Sequence, residues 1–213
     1  MLQQLFSLYS ERSSFFMQLT LQHIWISGIA VIIAAVVGLL LGIWISQYRS
    51  VSPYVLGLTN FIYTIPSIAL FGFLIPVSGI GDPTAIIALS VYALLPMVRN
   101  TFTGITEINL EILEAAEAMG SNRWQLLLKI KLPLAFPVIL TGIRTMVVMT
   151  IALTGIAAFI GAGGLGVAIY RGITTNNMAM TLAGSILIAL LALISDGLIG
   201  CYEKWLRRKR HIV

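Results

Sequence analysis

The sequence predicts an all-α polytopic membrane protein with about five transmembrane helices and one polar insert on the cytoplasmic side. Three observations carry that reading. The 213 residues are 58% hydrophobic and only 10% charged, with a mean hydropathy of +0.96, whereas about a quarter of the residues in a soluble domain are charged. The apolar residues come in unbroken runs of about 20, enough to cross a roughly 30 Å hydrocarbon core, without the alternation of β-barrel strands. The interior is also interrupted by one long polar stretch, Glu114 to Pro133, EAAEAMGSNRWQLLLKIKLP. The whole of 1–213 reads as one transmembrane domain.

Taken in order, residues 1–23 mix Leu2, Leu5, Phe6, Leu8 and Tyr9 with Gln, Ser, Glu11 and Arg12. They fit either an amphipathic helix at the membrane interface or a partly ordered arm. No basic start precedes an apolar core there, so no cleavable signal peptide is expected. The first span is placed at about 24–46, where Gly38 and Gly42 form a small-xxx-small pair that permits close helix approach. The second, about 54–77, carries Pro66 mid-span, which removes a backbone hydrogen bond and predicts a kink or unwinding. SGIGDP at 78–83 reads as a tight turn with Asp82 as N-cap and Pro83 at the first helical position. A third span, about 84–101, holds Pro96, and the insert then fills 102–132. A fourth span follows at about 133–158, then a glycine-rich segment too broken to span, then a fifth at about 179–202.

Five crossings place the two ends on opposite sides, and the basic residues choose which is which. Arg49, the 99–131 segment and the tail together hold ten Lys and Arg, while the other side holds only Arg12 and Arg171. The positive-inside rule sets the insert and C-terminus in the cytoplasm and the N-terminus outside. The formal charge of +5 is therefore no nucleic-acid signal: Lys204, Arg207, Arg208, Lys209 and Arg210 crowd the last ten positions as a topology anchor. Cys201 stands alone and forms no internal disulfide.

Within the insert, Asn109 is a candidate N-cap, and Glu111, Glu114 and Glu117 make an acidic stripe beside Ala115, Ala116 and Met119. Gly120 ends this helix, and Ser121 or Asn122 caps a second carrying Trp124, Leu127 and Leu128. Such an element either covers its own bundle or docks into a groove of a partner. The spacing Glu114-Ala115-Ala116, three residues, Gly120, nine residues, Ile130-x-Leu132-Pro133 resembles the signature of permease subunits of binding-protein-dependent ABC importers. TIPSIAL, LLPMVRNT and IGAGGLGVAIYRGI are similar to the permeases for glycine betaine, choline and carnitine, with methionine permeases a nearby branch.

The resemblance implies a type I ABC importer permease fold in the bacterial cytoplasmic membrane. It implies a coupling helix over Glu114–Gly120 that inserts into an ATPase subunit, and a joint to the fourth span at Ile130–Pro133. The implied partners are two ABC ATPase subunits, a second permease chain (identical or a paralogue) and an extracytoplasmic substrate-binding protein. No nucleic acid is implied. The chain has no Gly-x-x-x-x-Gly-Lys-Ser/Thr loop, so it would be non-catalytic, with ATP and magnesium held by the partner and no cofactor or metal of its own.

Other residues stand out. Arg144 and Asp196 are charges within spans, costly unless paired with each other or set along a polar pathway. Pro66 and Pro96 are ordinary kinks, or they set Tyr63, Ser67 and Tyr92 along a flexing pathway. Gly161, Gly163, Gly164 and Gly166 let an outer loop approach another surface closely, as an outer gate or a contact for the binding protein. His23, at the start of the first span, reads as an interfacial structural residue. Two other classes compete. An ion-coupled secondary transporter would need mid-span carboxylates and internal repeats, and Asp196 alone approaches the first. A passive channel or scaffold is the third.

Overall fold

The computed structural model describes residues 2–209, and every regular element among them is helical. Arg210, the last of the basic tail, lies outside the described residues. α1 (Leu2–Glu11) turns at Arg12 into α2 (Ser13–Gln47). At about 1.5 Å per residue α2 is roughly 50 Å long, longer than a roughly 30 Å hydrocarbon core. α1 is a formed helix packed on the bundle, not a loose arm. Leu5, Phe16 and Leu19 are buried with Leu165, Met180 and Ala183, and the Tyr9 hydroxyl donates to the Ala183 carbonyl at 2.8 Å.

α3 (Ser52–Thr64) and α4 (Ser67–Ser78) meet at a 99° bend. The bend has a local cause. Pro66 disfavours helical backbone at the preceding residue, and Ile65 is extended at φ −68°, ψ 126°. Pro66 then caps the new helix, its carbonyl accepting from Ala69 and Leu70 at 2.9 and 3.0 Å. The Ile65 carbonyl, cut off from a helical donor, accepts the Tyr92 hydroxyl instead.

α5 (Asp82–Thr106) is the central post and packs on α2, α3, α4 and α8. Its closest neighbour is α2, through the two glycines. A Cβ at Gly38 would stand 2.7 Å from Met97, and one at Gly42 would stand 2.5 Å from Thr101. The insert follows as α6 (Leu110–Ala118), α7 (Arg123–Gln125) and a π-helical stretch, Leu126–Lys131, that runs without a break into α8 (Leu132–Ala157). Pro133 accounts for the wide turn: a proline ring clashes with the carbonyl four residues back, and π geometry moves that carbonyl aside. After a 3₁₀ turn and a glycine loop come α9 (Gly166–Thr174), too short to cross, and α10 (Met178–Lys209).

Among the described residues four helices are long and apolar enough to cross a membrane, or five if the bent pair is one span. The ends of α2 and α5 decide between them. Trp44, Gln47 and Tyr48 line a cavity of about 510 Å³ with Arg123 and Trp124, so α2 finishes at the insert end. The Gly81 amide donates to the Ile160 carbonyl at 3.1 Å, so α5 starts at the opposite end. α3 and α4 therefore carry the chain from one end of the bundle to the other as one bent crossing.

Candidate functional site

At the insert end, local hydrogen bonds cut α6 out as a discrete object. The Asn109 side chain accepts from the Glu111 amide at 2.9 Å and opens the helix. Its end is a Schellman closure: the Gly120 amide bonds the Glu117 carbonyl at 2.9 Å and the Ser121 amide bonds the Ala116 carbonyl at 3.1 Å. The closure requires Gly120 at φ +86°. Asn122 and Gln125 then form a reciprocal capping box, at 2.8 and 2.9 Å, which starts the next helix. Five hydrogen bonds and one glycine thus define the elbow.

The elbow is bare. Glu111, Glu114, Ala115, Glu117 and Gly120 are exposed, and so are Leu110, Ile112, Met119 and Trp124; Met119 is 88% exposed and Trp124 72%. A helix that covered its own bundle would not leave those side chains in the open, and an exposed mixed acidic and apolar face is the kind of surface that marks a contact site. The predicted coupling residues separate into two groups. Glu114, Ala115 and Gly120 lie on the open face. Ala116 turns inward at 8% exposure, and Ile130, Leu132 and Pro133 are half-buried at the junction with α8, where buried Leu126 and Leu127 anchor it.

At the other end, three consecutive amides of the glycine loop are gripped by three side chains. The Gly163 amide donates to Asp82 Oδ1 at 2.8 Å, the Gly164 amide to Gln22 Oε1 at 3.3 Å, and the Leu165 amide to His23 Nδ1 at 3.3 Å. Gln22 Nε2 in turn donates to Asp82 Oδ2 at 3.3 Å. His23 is fully buried, and its Nε2 donates to the Ile151 carbonyl at 3.0 Å. With Nδ1 accepting, the hydrogen-bond network assigns the proton to Nε2. The clamp ties α2, α5 and the end of α8 together. Its glycines are needed for space as well as backbone: a Cβ on Gly163 would lie 1.9 Å from Gln22, and one on Gly166 would lie 2.1 Å from the Gly155 carbonyl.

Asp82 is therefore not the N-cap of α5. Gly81 holds that position, and the Asp82 carboxylate serves the distant loop, where it accepts two hydrogen bonds in place of a single local cap. Gln22 and His23 were missed as a site. Their signal was faint: two polar side chains at the mouth of an apolar run, facing the same side as the turn at 78–83.

Between the two ends lie the remaining residues. Arg144 pairs with Asp196 through Nε–Oδ1 at 2.5 Å and Nη2–Oδ2 at 2.6 Å, a two-pronged contact between α8 and α10, with Glu203 at 3.8 Å from Nη1. Gly200 makes room for the guanidinium, since a Cβ there would be 3.3 Å from its central carbon. Tyr63 and Tyr92 meet edge to face at 6.0 Å beside the break at Pro66, and Ser67 opens α4 on the far side of that break. Pro96 lies apart from them inside α5, its carbonyl accepting from Asn100 at 2.7 Å. No group of three metal-ligating side chains occurs among the described residues.

Comparison with known proteins adds to this geometry. The family of binding-protein-dependent transport system inner membrane components matches residues 34–208. The glycine betaine/carnitine/choline transport system permease protein OpuCD of Bacillus subtilis is 45% identical over 204 residues, 95% of this chain and 89% of that protein. The choline transport system permease protein OpuBD of the same organism is 43% identical over 204 residues, 95% and 90% of the two chains. The osmoprotectant import permease protein OsmW of Salmonella typhimurium is 41% identical over 194 residues, 89% and 90%. In three dimensions the chain superimposes on a chain of the inward-facing methionine transporter MetNI with a TM-score of 0.81, at 22% identity, over 92% of this chain and 98% of that one. This last likeness speaks for the fold.

Proposed function

The chain belongs to the family of binding-protein-dependent transport system inner membrane components, and on that premise we propose that it is the permease subunit of an ATP-driven importer of osmoprotectants such as glycine betaine, choline or carnitine. The observation that carries the substrate class is identity of 41–45% over 89–95% of the chain to permeases named for those solutes or for osmoprotectants. The observation that supports the mechanism is the bare, double-capped α6 elbow at the insert end of the bundle.

In this reading Glu114, Ala115 and Gly120 present the docking face to an ATPase subunit. Ala116, Ile130, Leu132 and Pro133 transmit its movement. Because α7, the π stretch and α8 form one continuous helix, a pull on α6 becomes a rigid-body tilt of α8. α8 ends in the glycine loop, so the tilt strains the clamp of Asp82, Gln22 and His23, which serves as the outer gate. ATP and magnesium belong to two ATPase subunits, the solute arrives on an extracytoplasmic binding protein, and a second permease chain completes the route. The N-terminus is outside and the C-terminus cytoplasmic.

Reconstitution of the permease with its ATPase and binding protein in vesicles tests the reading. Uptake of glycine betaine, choline or carnitine is expected only with ATP on the ATPase side. Uptake driven by a proton or sodium gradient alone overturns it, and ATP-driven uptake of methionine in place of these solutes moves the chain to the amino-acid branch.

A further inference from the structure

The solutes named above carry a trimethylammonium group whose charge cannot be neutralised by losing a proton, so it must be stabilised wherever it leaves water. The described membrane helices offer it no uncommitted carboxylate. Asp82 is engaged by Gly163 and Gln22, and Asp196 by Arg144. An aromatic face can stabilise it instead, and a positioned one sits at the bend. Tyr63 is in the last turn of α3 and is 45% exposed, yet two contacts orient it. Its ring meets the ring of Tyr92 at 6.0 Å and 69°, its hydroxyl donates to the Met149 thioether at 3.3 Å, and Tyr92 is itself buried and tied to the Ile65 carbonyl.

The depth is right for a crossing solute. Tyr92 lies ten residues into α5, about 15 Å from its outer end at 1.5 Å per residue, near the middle of a roughly 30 Å core. Discontinuous helices at that depth are where transport proteins build solute sites. The carbonyl end of α3, which Tyr63 occupies, carries the negative end of the helix dipole and favours a cation.

Resting on the osmoprotectant reading, we propose that the exposed ring of Tyr63 is a cation–π contact for the quaternary ammonium group partway across the membrane. Tyr92 is the positioning residue behind it: it holds both the ring and the broken backbone.

The test is choline or glycine betaine uptake by the complete reconstituted transporter, with co-purification of the ATPase as the check that each variant assembles. Tyr63→Leu removes the π face and is expected to lower the maximal uptake rate about 10- to 30-fold, the scale of a desolvated cation–π contact. Tyr63→Phe keeps the π face and is expected to stay within about twofold of the unaltered protein on the same scale. Phenylalanines with increasing ring fluorination at position 63 keep the shape while draining the π face, so uptake is expected to fall stepwise along the series. The inference is overturned if Tyr63→Leu transports like the unaltered protein, if Tyr63→Phe falls as far as Tyr63→Leu, or if the fluorination series is flat. An unaltered transporter that moves methionine and no quaternary amine removes the osmoprotectant reading itself, which is a different failure.

Discussion

Replacing Asp82 with alanine should loosen the glycine-loop end of the bundle by an amount the structure sets. The carboxylate accepts from the Gly163 amide at 2.8 Å and from Gln22 Nε2 at 3.3 Å. A hydrogen bond to a charged group contributes about 1.5–3 kcal/mol net, and the longer Gln22 contact adds little of its own. Its loss still frees Gln22, which orients the Gly164 amide. About 2 kcal/mol is therefore the expected loss, which raises the lifted-loop population roughly 30-fold. Asp82→Asn keeps an acceptor for Gly163 but loses the charge, so about 1 kcal/mol and roughly a fivefold rise are expected.

Labelling kinetics read this directly. Ala162 is 2% exposed inside the clamped loop, and Cys201 is the only native thiol. In a Cys201→Ser, Ala162→Cys background, a membrane-impermeant maleimide added outside reacts only when the loop lifts. The labelling rate should rise in the order unaltered, Asp82→Asn, Asp82→Ala. Equal rates in the unaltered and Asp82→Ala proteins would refute the clamp.

Two further outcomes follow from the other sites. Glu114→Lys reverses a charge on the open face of α6, and Gly120→Ala forces a side chain into φ +86° at a cost of about 1–2 kcal/mol. Both should leave insertion intact while uptake per ATP hydrolysed falls several-fold, and unchanged uptake would count against the elbow as the docking face. For the ion pair between α8 and α10, loss of Arg144 removes the cation that Asp196 and Glu203 both approach, whereas loss of Asp196 still leaves Glu203 at 3.8 Å from the guanidinium. Arg144→Gln should therefore lower the yield of assembled protein more than Asp196→Asn does, and the double variant should recover part of it. Strictly additive losses would mean that the pair does not act as a unit.

The sequence by itself determined the features that local chemistry writes. The apolar runs, the break at Pro66 and the elbow with Asn109, Gly120 and Asn122 were all legible. Their causes lie within five residues: a missing amide, a positive φ, a side chain capping its own helix. Gly38 and Gly42 were legible as a close-approach pair because bare backbone on one face says that something fits there, though not what. Met97 and Thr101 of α5 appear only in three dimensions. Tertiary structure alone decided the clamp and the bend's partner. Asp82, placed by local rules as an N-cap, turned to amides 81 residues away, while Gln22 and His23 meet amides 142 residues on. Tyr92 found the Ile65 carbonyl at the helix break, 27 residues back. A polar group inside a membrane must find its partner wherever the fold supplies one. Its need can be read from the sequence, but the partner depends on which helices pack side by side.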